Sequence, residues 1–394
     1  MSKLLIVAVL VLVVLAVAQL TRLYELSRKL SKKREEDISY ANNKLNAKLM
    51  LVFMVLFFAF YIGLTIMYGD KLLPVSASEH GESIDSLMDL NLVIISLVFF
   101  LVNGLLFVFA SKYYKVEGGK ALFQPHNNKL ELIWTIVPTV VLFVIIISGL
   151  VVWNNVTGVK DPNNINIELY SKQFDWTARY AGDDNVLGQA NVNFISGTNP
   201  LGVVSPEVIE DKLADIKENI ERLEDELANQ VFSDDVEDQK TMNLHNLKAQ
   251  FARVSAFKFE GETLDDGYDD KLVKAEFHIP VGKMVNFQFR SQDVIHSAYM
   301  PHFRAQMNTV PGMITNFSFK PTITTAEMRE ITGNKEFNYA LLCNKICGAA
   351  HYNMKMDIIV ESEEDYNKWL ASQKTFAKAY GLEGENNEEG IAQK

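Results

Sequence analysis

The sequence predicts a membrane-anchored α + β protein: transmembrane helices followed by a small β-sandwich with an inserted helical hairpin. Three observations predict it. Uncharged apolar runs long enough to cross a bilayer crowd the chain before about residue 154. Beyond that point, short segments alternate apolar and polar residues, the period of half-buried strands. In the middle of the strand region, one charged stretch spaces its leucines and isoleucines at helical intervals instead.

A hydrocarbon core about 30 Å thick takes roughly 20 helical residues to cross. Leu4 to Leu20, Leu49 to Met67, Leu90 to Ala110 and Leu132 to Trp153 are the candidate spans. Lys3, the apolar run and Ala16-Val17-Ala18 also fit a signal peptide, but we read the first span as retained. Arg22, Arg28, Lys29, Lys32, Lys33, Arg34 and Lys44 lie between the first two spans, and Lys112, Lys115, Lys120 and Lys129 follow the third. The loop between spans two and three is acidic, with Asp70, Glu79, Glu82, Asp85 and Asp89 against Lys71. Short basic loops stay cytoplasmic, so the expectation is four crossings of a plasma (inner) membrane with everything after Trp153 on the periplasmic side.

In the outer part, Ile165 to Tyr180 and Lys274 to Arg290 alternate, with Val285, Phe287 and Phe289 on one face. Asn316 to Lys320, Asn338 to Leu342 and Met354 to Val360 read as further short strands, so the expectation is an antiparallel sandwich or barrel. Ser205-Pro206 starts a helix whose Ile209, Leu213, Ile216, Ile220, Leu223 and Leu227 step 4-3-4-3-4. After Ser233 a second helix carries Leu244, Leu247, Phe251 and Val254, giving a hairpin with facing apolar seams. It is either a solvated spacer or a docking arm. Ser362 caps a short helix containing Trp369, and the end from Glu383 is expected to be disordered.

Composition narrows the function classes. Hydrophobic residues make up 48% and charged residues 22%, an average that hides the division between anchor and outer part. The net charge of −11 argues against an electrostatic nucleic-acid binder. Two cysteines, Cys343 and Cys347, cannot form a disulfide framework. With His351 and Met354 they pack two thiols, an imidazole and a thioether into twelve residues. Such soft donors favour copper over magnesium, calcium or manganese, and a thioether is a poor zinc ligand. Two thiolates can bridge two metals, each then needing a terminal histidine. His80 and His126 sit in membrane loops, His245 in the hairpin and His278 in a strand, which leaves His296 and His302, both placed in a loop after a strand.

Asp293-Val294-Ile295-His296-Ser297, Pro301, Val310-Pro311-Gly312 and then Cys-x-x-x-Cys-Gly-x-x-His-x-x-Met resemble subunit II of haem-copper cytochrome c oxidases, in its CuA-carrying domain. Glu131-Leu132-Ile133-Trp134-Thr135-Ile136-Val137-Pro138 is similar to the start of that family's second membrane helix, and Gln173-Phe174-Asp175-Trp176 to its aromatic stretch. The likeness covers roughly residues 90 to 200 and 270 to 372; the first two spans and the hairpin lie outside it. It implies a cupredoxin-like sandwich holding a binuclear copper centre. His296 and His351 would bind one copper each, Cys343 and Cys347 would bridge both, Met354 would be a weak ligand to one, and the main-chain carbonyl of Lys345 would serve the other. It further implies that electrons arrive from cytochrome c and pass to haem in subunit I for oxygen reduction coupled to proton pumping. The implied partners are subunit I, other oxidase subunits and membrane lipid.

Five departures or special positions qualify the likeness. Lys345 replaces the family glutamate that helps hold magnesium at the border with subunit I, and Asn308-Thr309-Val310-Pro311-Gly312-Met313 replaces Asp-Ala-x-Pro-Gly-Arg, so magnesium is expected to be absent. Phe174 stands where the family has its electron-accepting tryptophan, and Trp176 is the nearest alternative for electron entry. No Cys-x-x-Cys-His occurs, so the cytochrome c, or cytochrome c domain, belongs to a separate chain. Glu131 either serves helix-end electrostatics or, as the resemblance implies, stands at the mouth of a proton channel. His302, where the family has a small residue, reads as structural.

The resulting division is 1–70, two extra transmembrane helices with a basic cytoplasmic loop; 90–153, the two-helix anchor; 154–204, the first part of the sandwich; 205–260, the hairpin; 261–372, the second part with the copper site; and 373–394, an acidic tail. The rival functions are a copper-containing nitric oxide reductase subunit, a membrane-tethered copper carrier and a quinol oxidase subunit. The last of these usually lacks the copper ligands.

Overall fold

A computed structural model describes residues 2–30, 39–158, 161, 163–257 and 267–381. They fall into two compact units, Met1–Leu73 with Leu90–Thr139 and Pro74–Asp89 with Val140–Lys394. The acidic tail expected from Glu383 lies outside the described residues.

The first unit is helical. Helix α1 runs Ser2–Leu30, α2 Tyr40–Tyr68, α3 Gly81–Lys112 and α4 Asn128–Thr157, the last two continuing into the second unit. Among the described residues α2, α3 and α4 are long and apolar enough to cross a membrane. Their exposed apolar surface is what lipid requires, since a helix satisfies its own backbone polar groups. Aromatic rings join α2 to α3. Phe53 meets Phe107, Phe58 meets Phe100, and Tyr61 stacks on Phe99 and pairs its hydroxyl with Ser96 Oγ at 2.7 Å.

The second unit is a sandwich of two five-stranded sheets. One has the order β3-β2-β1-β5-β8, with β1 Ile165–Lys172, β2 Asp175–Tyr180, β3 Lys271–Val273, β5 Val285–Ser291 and β8 Thr315–Phe319. The other is β4-β10-β9-β6-β7, with β4 Glu276–Pro280, β6 His296–Met300, β7 Ala305–Thr309, β9 Tyr339–Cys343 and β10 Lys355–Glu361. Ile167, Leu169, Trp176, Phe277, Phe287, Phe289, Leu341 and Ile358 are fully buried in the core the two sheets share.

The expected all-antiparallel pairing is corrected: β1 pairs with β5 and β10 with β4 in parallel. Parallel neighbours need a long crossover, and the residues between β2 and β5 supply one. Strands β3, β6 and β7 and helix α7 (Thr325–Thr332) carry no sequence expectation; the first three are too short, or too broken by polar residues, to show a period. His80, expected in a membrane loop, instead belongs to a segment packed on the sandwich. There Ala77 N–H donates to His302 O at 2.7 Å, Arg304 grips Asp85 at 2.7 and 2.9 Å, and the His80 ring meets Phe317.

The inserted hairpin is α5 Pro206–Asn229 and α6 Asp234–Ser255. Ser205 Oγ accepts the Val208 N–H at 3.3 Å, with Pro206 in the first turn, as the sequence expects. Its root is a second apolar core: Val208, Ile216 and Val254 bury against Tyr170 of β1, Phe194, Leu201 and Val203. Phe376 joins them from α9 (Phe376–Tyr380), which follows α8 (Glu363–Ser372). Beyond the root, Lys248 pairs with Glu224 at 2.6 Å and Lys240 with Glu226 at 2.5 Å across the two helices.

Under this root the outward face of the first sheet carries buried charge. Glu168 of β1 is held by Arg179 at 2.6 Å and by Arg290, and Arg179 also reaches Asp270 at 2.8 Å. Alternation in β1 and β2 suggests a solvated outer face there; instead Tyr170 packs on the insert, the Gly188 and Leu201 carbonyls lie on the arginines, and the charges survive burial because they are paired.

Candidate metal centre

Sheet order builds this site. Strands β6 and β9 are neighbours, with Ala298 opposite Cys343, so the end of β9 comes beside the start of β6. His296 is therefore the first residue of a strand, not part of a loop as expected, and its side chain is fully buried. Asn344 N–H donates to Ser297 O at 2.9 Å, and Cys343 N–H to Met354 O at 3.1 Å, closing residues 343–354 into a fixed loop. A short 3-10 turn, His351–Asn353, returns the chain toward the site.

The side chains converge. The sulfurs of Cys343 and Cys347 lie 3.8 Å apart. His296 Nδ1 lies 3.8 Å from Cys343 Sγ, and His351 Nδ1 lies 3.6 Å from Cys347 Sγ. Met354 Sδ is 3.9 Å from Cys347 Sγ, and Lys345 O is 3.2 Å from Cys343 Sγ. Among the described residues, His296, Cys343 and Cys347 are the one such group whose ligand atoms all lie within 4.8 Å. Cys347 and Met354 are buried, Cys343 and His351 partly exposed, and the Lys345 residue is exposed. All six sequence-expected donors thus meet in one place, while His302 stands apart, packed edge-on against Phe337 and Tyr339.

The electrostatics suit a cation. Burial, helped by Cys343, pushes the Cys347 thiol up to about 11. A thiolate there needs a positive partner, and a metal supplies one. Asp293 Oδ1 accepts from His296 Nε2 at 2.9 Å, which turns Nδ1 toward the sulfurs. Burial opposes ionisation of Asp293, yet the bonds from His296 and from the Gln173 and Val294 N–H groups hold it below the usual carboxylate range. Two thiols, two imidazoles, a thioether and a carbonyl fit the donor preferences of copper and not those of magnesium or calcium.

The transmembrane-domain model of cytochrome c oxidase subunit II matches residues 67–152, and the periplasmic-domain model of the same subunit matches residues 249–363. An alternative cytochrome c oxidase subunit 2 from Bradyrhizobium diazoefficiens is 30% identical over 278 residues, 70% of this chain and 73% of that protein. The chain belongs to the cytochrome c oxidase subunit II family. A subunit 2 from Thermostichus vulcanus is 22% identical over 83% of this chain and 84% of its own length. The periplasmic domain of subunit II from Bradyrhizobium japonicum superposes with a TM-score of 0.25 at 15% identity, covering 52% of this chain and 91% of that one. This subunit II is therefore part of an oxidoreductase complex, with other oxidase subunits as its partners, and its extramembrane domain follows a membrane anchor.

The remaining expected residues fall in different settings. Trp176 is fully enclosed, its ring 6.2 Å from that of His296, so a docking protein cannot touch it. Phe174 is partly exposed beside the copper-type loop. Glu131, in the first turn of α4, accepts the Asn127 N–H at 3.2 Å, a helix-end contact. Asp293, Gln173 and Gly348 enter the sequence reading only as motif letters, yet each shapes the site. Asp three residues before the upstream histidine was the available signal for the first.

Proposed function

We propose that this subunit II accepts electrons from a separate cytochrome c at a binuclear copper centre and passes them to haem in subunit I. The observation that carries this reading is the pair of sulfurs 3.8 Å apart with one imidazole Nδ1 facing each of them. Bound copper would supply a one-electron carrier shared between two ions. The chain's own part would be to keep the ligands still: Cys343 and Cys347 would be shared by the two ions, His296 and His351 would each hold one, and Met354 and the Lys345 carbonyl would bind weakly. A site rigid in both oxidation states reorganises little during transfer.

Electrons would enter at Phe174, the partly exposed ring of the turn, with Trp176 behind it against His296. The exposed Lys345 stands where a magnesium-binding carboxylate would be, so we propose no magnesium there. Glu131 would lead protons toward subunit I from the cytoplasmic face. Four crossings, α1 to α4, would put the sandwich in the periplasm.

Near-infrared absorption and electron paramagnetic resonance of the purified oxidase test the centre. The expected result is a mixed-valence signal from two coppers sharing one unpaired electron. A single-copper signal, or stoichiometric zinc in its place, would overturn the reading.

A further inference from the structure

Two ligands of the site, His296 and Cys347, come from distant stretches of chain, and one residue outside the ligand set joins them. Ser171 pairs with Trp176 and Lys172 with Asp175, so Gln173-Phe174 is the two-residue turn between β1 and β2. The Gln173 main-chain N–H donates to Asp293 Oδ2 at 2.7 Å. Its side-chain Nε2 donates to the Cys347 carbonyl at 2.5 Å. The other oxygen of Asp293 holds His296. A continuous run of three hydrogen bonds therefore links His296 to Cys347 through Asp293 and Gln173.

The next residue closes the same joint. Gly348 has φ +141°, and a Cβ built there would lie 2.8 Å from two ring carbons of Phe174 and 3.0 Å from Gln173 Nε2. The absent side chain is what lets Phe174 sit on the loop.

We propose that Gln173 is a positioning residue for the metal centre, bracing the Cys347 loop against the Asp293 carboxylate that orients His296. The proposal rests on the copper reading above. Hydrogen bonds outside the ligand set hold ligand orientation, and losing one typically costs 10–100-fold in metal affinity or activity. The brace also joins the turn proposed for electron entry to the ligands themselves, so pressure on the turn from a docked donor is carried to Cys347 and His296.

The test uses the full-length subunit in the assembled oxidase with Gln173→Met, which keeps the length and apolar bulk but donates nothing, and Gln173→Glu, which turns an acceptor toward the Cys347 carbonyl. Both variants are expected to take up copper and then lose it to a chelator about tenfold faster or more. Copper hyperfine couplings should shift while thermal unfolding stays unchanged, a signature that a merely structural side chain would not give. A second arm needs no copper. In metal-free protein, alkylation of Cys347, resolved from Cys343 by peptide mass spectrometry, should speed up in Gln173→Met. Variants with unaltered chelation rate, hyperfine couplings and alkylation rate overturn the brace. If the unsubstituted oxidase holds no copper pair, the copper reading falls instead, and the alkylation arm alone decides whether Gln173 secures the loop.

Discussion

Cys347 and its neighbours show how much single atoms decide in this protein. Cys347 touches three other donors, Cys343, His351 and Met354. If Cys347 bridges two coppers as proposed, Cys347→Ser is expected to abolish the two-copper signal; retention of the full near-infrared band would contradict a bridging role. Gly348→Ala should disturb the site without touching a ligand, because the new methyl group meets the Phe174 ring and the positive φ disfavours a side chain. Its expected effect is a copper site still formed but released faster, measured by chelation. Electron entry needs a gentler probe than alanine at Trp176. Removing so large a buried ring costs about 3–5 kcal/mol in stability, so Trp176→Phe is the variant whose copper reduction rate bears on electron entry.

Among the elements, the insert is more than an appendage on a strand connection. Its root buries Tyr170 of β1, on the same strand as Glu168 of the charged cluster, whose Arg179 and Arg290 also donate to the Gly188 and Leu201 carbonyls. Glu168→Gln takes a carboxylate partner from the buried Arg179, which keeps only Asp270, and from the partly buried Arg290. Breaking buried pairs of this kind costs about 3–5 kcal/mol, so we expect a markedly lower unfolding midpoint for the near-ultraviolet dichroism of the sandwich. Among the described residues, no hydrogen bond or ion pair joins the copper-type loop to the distal half of α5 and α6. Shortening the hairpin beyond Ile220 and before Leu247 should therefore leave the copper spectrum unchanged, and any loss of donor-driven turnover would then point to docking rather than to the site.

For the whole molecule, pH acts through the same cluster. Burial pushes Asp270 up to about 7 from the ordinary 3.8, against the pull of Arg179. The folded form thus binds a proton that the unfolded chain has released between those values. This group's contribution to stability falls as pH rises from about 4 to 7, then levels off. Glu168, lowered by its two arginines despite burial, has the opposite sign: its contribution is present above the ordinary carboxylate range and fades as pH falls through the lowered value. Asp270→Asn should flatten the decline toward neutral pH in an unfolding series; an unchanged slope would assign it to other groups. In the membrane, Glu131→Gln should slow proton uptake and oxidase turnover if the channel role holds. Unchanged values would leave Glu131 with the helix-end contact to Asn127 alone.

The sequence by itself determined the anchor, the division between basic loops and acidic outer part, the hairpin seams and the four side-chain donors between Cys343 and Met354. Each of these is local: a run of apolar residues, a period of 3.6, or a twelve-residue spacing carries it without reference to the rest of the chain. Only the tertiary structure decided that the sheets are mixed, that His296 begins β6, that Trp176 is enclosed, and that Tyr170 of β1 packs on the insert. It also brought Asp293 and Gln173 to the site from segments 120 residues apart. Such pairings depend on which strands lie side by side, and strand order is fixed by burial of the whole core, a quantity no short window of residues contains.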